Sequence, residues 1–233
     1  AMEQTVVPEN FSFRMTDEEY RVLEKIKNSI PVCYLADHAD FALGIVTGNN
    51  KKFLSAEKTE HSEMVLKGTD ICKYHINPAK QYLRFEPEQF QQVAPLEIYR
   101  APEKLLYRFI SNQLVVAYDD RQMLSLNSCN IVIPKIEGMQ IKYILAILNS
   151  SVSQFVYQKE FHSIKVLRAH MEHIPIPRVG KAIQNEIIAM TEPLICGMGK
   201  EAAETCQKRL DCRIMDLFRL SAEEQWIIRH ALH

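Results

Sequence analysis

The chain is short of glycine, with seven in 233 residues, and it has neither a long apolar run nor a Cys-x-x-Cys pair. Each absence removes a class of protein. No stretch approaches the roughly 20 apolar residues that a membrane-spanning helix needs, and the N-terminus lacks the basic-then-apolar order of a secretory signal. The expectation is a soluble, cytoplasmic protein with no membrane partner. Six scattered cysteines (Cys33, Cys72, Cys129, Cys196, Cys206, Cys212) offer no disulfide framework and no cysteine-rich zinc site, so reduced thiols are expected. Motifs of the forms G-x-S-x-G, H-E-x-x-H and G-x-G-x-x-G do not occur. Gly197-Met198-Gly199-Lys200 fails as a phosphate loop, because Leu194 stands where the first glycine belongs and no Ser or Thr follows Lys200; it reads as a helix interruption. His170 and His173 have no suitably placed acidic or cysteine ligand, and Cys72 with His75 has no partner cluster, so no metal site is expected. An enzyme acting alone is disfavoured, although scattered catalytic residues escape a one-dimensional reading.

What is present is a chain of 47% apolar content, enough to bury a substantial core in one large domain or a domain with an appendage. Ala1-Met2 reads as a scar before an internal start, the mark of a piece cut from a longer protein. The net charge of −1 argues against an indiscriminate nucleic-acid binder, yet it hides an asymmetry. Residues 1–120 hold 14 Lys+Arg against 18 Asp+Glu, and residues 121–233 hold 14 against 11. Between Arg121 and Ile183 there are eight basic residues and three acids. A solvated face would have the same composition.

The run Gly44-Ile45-Val46-Thr47-Gly48-Asn49-Asn50-Lys51-Lys52-Phe53 places two of the seven glycines among short hydrogen-bonding side chains and two lysines. Glycine permits tight backbone geometry, Thr and Asn carry donors and acceptors, and lysine supplies charge for phosphate, a combination suited to nucleic acid. An ordinary Asn-rich turn between strands is the alternative. Thr16 with Glu19 forms a capping box that opens a short helix ending before Pro31. Phe53-Leu54, Tyr82–Phe85, Leu105–Ile110, Leu114–Tyr118 and Asn130–Ile133 read as strands, with Ser111-Asn112-Gln113 as the turn of a hairpin. Ile141, Ile144, Leu145 and Leu148 share one helical face, and Val152, Phe155 and Val156 share another. His173-Ile174-Pro175-Ile176-Pro177 must be extended. A helical tail is expected from about 182 to 210, followed by a last helix opened by Ser221 and Glu224. The expected fold is α+β, with a twisted, mainly antiparallel sheet over about 32–135, flanking helices and a C-terminal helical extension. Its organisation reads as an N-terminal arm and helix (1–31), a core (32–178) and the extension (179–233).

Taken in order, GIVTGNNKKF, LKGTDICKY, PEKLLYRFISNQLVVAYDD, LAILNSSVSQFVY and HIPIP resemble the TaqI-like C-terminal specificity domain, the target-recognition module of adenine-specific DNA methyltransferases in type II restriction-modification enzymes. LDCRIMDLFRLSAEEQWII is similar to the closing helices of those proteins. The resemblance implies a division of labour in which a catalytic domain, in the same or a partner chain, binds S-adenosylmethionine, flips an adenine and methylates its N6, while this region chooses the sequence on double-stranded DNA. The family's Asn/Asp-Pro-Pro-Tyr/Phe motif is absent, since the only Asn-Pro is followed by Ala79, so this chain holds no cofactor and should not methylate alone. Whether the whole protein also cleaves DNA is not readable.

Two regions are expected to face DNA. The first is the loop with Thr47, Asn49, Asn50, Lys51 and Lys52, from which Phe53 returns to the core. In the second, Arg108 and Arg121 flank the hairpin, and Ser163 and Lys165 lie in the polar break His162-Ser163-Ile164-Lys165. Lysine and arginine would neutralise phosphates and fix the register, while Asn and Thr would read base edges. Arg108 could instead pair with Asp119 or Asp120 across the hairpin. Two other classes stay open: a protein-interaction module that docks a methyltransferase or nuclease partner through the C-terminal helices, and an unrecognised enzyme.

Overall fold

A computed structural model describes residues 15–161 and 163–232; the Ala1-Met2 start and His162 lie outside them. The N-terminal half contains α1 (Asp17–Asn28), β1 (Val32–Cys33), β2 (Ala39–Ala42), the single turn α2 (Asn50–Phe53), β3 (Leu54–Ser55), β4 (Glu63–Leu66), β5 (Tyr82–Leu83), the single turn α3 (Leu96–Tyr99), β6 (Lys104–Arg108) and β7 (Val116–Asp119). There follow β8 (Leu124–Ser125), β9 (Cys129–Pro134), α4 (Ile141–Asn149), α5 (Ser151–Phe161), α6 (Arg168–Glu172), β10 (Ile176–Pro177), α7 (Lys181–Ile195), α8 (Lys200–Leu217) and α9 (Ala222–Ala231).

The architecture is α+β, and the strands divide into three sheets. The central one is antiparallel, in the order β2-β9-β6-β7. A smaller sheet, β3-β5-β4-β8, contains one parallel pair, β4 with β8. The third pairs β1 with β10, so the extended Ile-Pro segment closes against the residues after α1. Leu105, Tyr107, Val116, Tyr118 and Val132 face a core built with α1, α4, α5, α7, α8 and α9. Their neighbours Leu106, Ala117, Ile131 and Cys129 face a second core with the smaller sheet. Both faces of the central sheet are buried, which is why its strands read as continuous apolar runs instead of alternating with polar residues.

The hairpin forms as expected, with Lys104 opposite Asp119 and Tyr107 opposite Val116. Its outer strand β7 is the sheet edge, and its free backbone groups are covered by the Tyr74 backbone, which bridges Val116 and Tyr118, and by side chains. The Asn149 amide accepts from the Val116 N–H (3.0 Å) and donates to the Val116 carbonyl (2.8 Å), as a neighbouring strand would, and Gln154 accepts from the Leu114 N–H. The α4–α5 break thereby locks the helices to the sheet. Asp211 of α8 accepts from the Ser151 N–H and hydroxyl at 2.9 and 2.8 Å, placing a carboxylate at the start of α5. Both expected capping boxes are present, on α1 and α9. The helical tail is interrupted where the Gly197–Lys200 run was expected to break it, with Gly197 at φ +77°, and its second helix runs on to Leu217, past the expected end near 210.

At the open end of the hairpin lies a fully buried ion pair, Lys104 Nζ to Asp119 Oδ2 at 2.5 Å. Lys104 also donates to the Tyr99 carbonyl, and Asp119 accepts from the Arg121 and Met123 N–H groups. Burial pushes the Lys104 ammonium below its ordinary pKa, against the opposing pull of Asp119. Removing one partner leaves an uncompensated charge. Lys104→Met should therefore cost about 3–5 kcal/mol in urea unfolding, whereas exposed Arg121→Ala should stay within about 0.5 kcal/mol of the parent.

Candidate nucleic-acid interface

The strand register puts several loops at one end of the central sheet. Ala42 lies opposite Ile131, Arg108 opposite Cys129 and Tyr107 opposite Val116. The segment after β2, the turn before β9 and the hairpin tip therefore leave from the same end. Two glycines make this junction possible. A Cβ on Gly44 would lie 2.1 Å from the Leu126 carbonyl oxygen, and one on Gly68 would lie 2.5 Å from the Ser128 carbonyl oxygen. The Gly44 N–H donates to Asn130 Oδ1, the Gly68 N–H to Ser128 Oγ and the Phe109 N–H to the Ser128 carbonyl. The Arg108 guanidinium donates to the Gly68 (3.0 Å) and Ile71 carbonyls.

The first expected region is a built loop containing one helical turn. Gly48 takes φ +77°, and Asn49 caps α2 by accepting from the Lys52 N–H. Thr47 is only 4% exposed and its hydroxyl serves inside the loop, donating to Asn50 Oδ1 and accepting from the Asn49 N–H. Asn49, Asn50, Lys51 and Lys52 are exposed. Lys52 leans on Gln89 and on the Phe53 ring, and Phe53 packs edge-on against Phe90 at 5.4 Å, so it does return to the core.

Ser163 and Lys165 join the same end, because residues 109–111 and 164–166 pair as a short antiparallel ribbon centred on Ile110 and Lys165. Arg121 does not: it follows β7 at the opposite end of the sheet, beside the Lys104–Asp119 pair. Nor does Arg108 pair with Asp119, which Lys104 occupies; its guanidinium is committed to the junction carbonyls. His170 accepts from the Leu167 N–H and stacks on Phe161, and among the described residues no three His, Cys, Asp or Glu side chains gather as a metal site.

The structure adds polar residues at this end that motif reading passed over. Lys67 and Thr69 flank Gly68, Asn127 and Ser128 form the turn before β9, and exposed Asn112 and Gln113 occupy the hairpin tip. The signal for the last two was present, but Ser111-Asn112-Gln113 also satisfies a turn.

Residues 63–176 match the family described as the TaqI-like C-terminal specificity domain. The chain carries a domain of this family. Within the specificity domain, LKGTD supplies Gly68, LLYRF supplies Arg108 and LAILNSSVSQ supplies Asn149 and Gln154, so these segments are the contacts that fix the sheet end and its helices. The glycine-rich 44–53 loop lies ahead of the matched residues.

No curated protein matches the sequence. Among solved structures the chain is similar in fold to the type IIL restriction-modification enzyme MmeI, solved in complex with DNA, at 11% identity and a TM-score of 0.57, over 86% of this chain and 35% of that one. The HsdS subunit from Thermoanaerobacter tengcongensis (13% identity, TM-score 0.45) is covered over 50% of its length, and a chain of a type I restriction-modification complex (13%, 0.47) over 52%. This chain thus spans about half or less of the chains it matches.

Gly44→Ala should cost about 2 kcal/mol or more in urea unfolding, because the obstructing atoms are backbone and cannot swing aside. Gly180→Ser, at the N-cap of α7 with open space around it, should hold or slightly raise stability.

Proposed function

We propose that this chain reads a short sequence of double-stranded DNA on behalf of an adenine-N6 methyltransferase of a restriction-modification system. The observation that carries the reading is that the segments bearing Asn49, Asn50, Lys51, Lys52, Lys67, Asn127 and Lys165 are rooted at one end of the central sheet, in a chain that carries a specificity domain. Lysines at this end would neutralise phosphates and set the register, while Asn and Gln amides, which donate and accept at once, suit base edges in the major groove. The junction beneath holds them in place before binding, which lowers the cost of ordering on the DNA.

The methylating half is assigned to a catalytic domain in the same or a partner chain. S-adenosylmethionine would be held there, since this sequence has neither the Asn/Asp-Pro-Pro-Tyr/Phe motif nor a glycine-rich cofactor loop. No described helix is long and apolar enough to cross a membrane. A docking role can coexist with DNA reading: Tyr20 on α1 and Trp226 on α9 are each 56% exposed, and such aromatics suit a partner surface.

Binding to a randomised duplex pool, followed by sequencing of the retained fraction across a salt series, tests the reading. One short motif should be enriched, and affinity should fall steeply with salt. The Lys51→Ala/Lys52→Ala pair should reduce the salt slope by about 2, whereas Arg121→Ala should leave it unchanged. Salt-insensitive binding, or none at low salt, would favour the docking module.

A further inference from the structure

Ile110 and Ile164 are 62% and 71% exposed, the two most exposed large apolar side chains among the described residues. They sit on the paired ribbon. The Ser111 N–H donates to the Ile164 carbonyl at 3.0 Å, and the Val166 N–H donates to the Phe109 carbonyl at 2.8 Å. The register sets Ile110 beside Lys165 on one face and Ile164 beside Ser111 on the other. The ribbon is braced from behind: Val166 is buried, the Tyr157 hydroxyl donates to the Ser163 carbonyl and the Phe109 N–H donates to the Ser128 carbonyl. Exposed, β-branched and therefore stiff side chains on a braced tip present apolar contacts at fixed positions.

Their surroundings favour nucleic acid over protein. Residues 107–113 and 163–169 contain no acid; Arg108 is committed to the junction carbonyls and Arg168 pairs with Glu172 at 2.7 Å, which leaves exposed Lys165 on the ribbon to meet a phosphate. A two-stranded ribbon fits the DNA major groove, where the C5-methyl group of thymine is the apolar feature on the base edges. We infer that Ile110 and Ile164 read thymine methyl groups in the major groove, one from each face of the ribbon, as the polar residues around them bind neighbouring bases and phosphates. This rests on the DNA-reading function proposed above.

The test uses the duplex selected from the random pool, with each thymine replaced in turn by deoxyuridine, which removes only the methyl group. For the parent chain, one or two replacements should weaken binding roughly fourfold each, the size of one buried methyl group. The Ile110→Ala/Ile164→Ala variant should bind the thymine and uracil duplexes equally, and Ile110→Val/Ile164→Val should retain part of the preference. Both positions are exposed, so an unchanged thermal midpoint is expected, and the parent-chain measurement stands without the variants. If a motif is enriched but no deoxyuridine replacement matters, or the alanine variant keeps the thymine preference, the inference falls and DNA reading survives. If no motif is enriched, both fall.

Discussion

The close approach of backbone to backbone at Gly44 and Gly68 is the constraint on which the candidate interface depends. Both glycines press on the Leu126–Cys129 turn at distances no Cβ could share. Through that turn the segment after β2, the segment after β4 and the hairpin tip are tied to one another by backbone hydrogen bonds and by Arg108. Loops of this length would ordinarily be mobile and variable in position. Here their roots are fixed, and only their outer side chains are left free to differ. That separation suits a domain whose task is to present a changeable set of polar groups on an unchanging base.

The second requirement is that the sheet carrying these loops be held along its length. It is buried on both faces, its edge strand is occupied by the Asn149 amide and by Gln154, and its far end is closed by the Lys104–Asp119 pair. The pair adds little net stability once desolvation is counted, but it tolerates no single-sided change. Charge at the two ends therefore has different uses. Lys104 and Asp119 are spent internally, while Lys51, Lys52 and Lys165 remain exposed.

Much of this was legible in the sequence. Capping boxes announced α1 and α9, apolar runs announced the central strands, and Pro175 and Pro177 announced the extended closure at β10, although His173, expected in the same extended run, instead closes α6 with ψ 6°. Glycine scarcity made the 44–53 loop conspicuous, and the Asn49 cap with Gly48 at positive φ explains its composition. What could not be read was which loops share an end of the sheet. Arg108 and Arg121 flank the hairpin in sequence, but the twelve residues between them fold back on themselves and put one at each end. Thr47 looked like an outward donor, yet its hydroxyl completes the loop, because a short polar side chain bonds its own backbone as readily as a ligand. The pairing of 109–111 with 164–166 joins segments more than fifty residues apart, and no local pattern encodes it.

Amide hydrogen exchange of the full chain with and without its selected duplex tests most directly the claim that one end of the central sheet reads DNA. Protection confined to residues 43–53, 67–70, 109–113, 126–128 and 163–168, with the Asp119–Met123 turn unchanged, is the predicted result. Protection centred on that opposite turn or on α1 and α9, with the glycine junction unaffected, would contradict it.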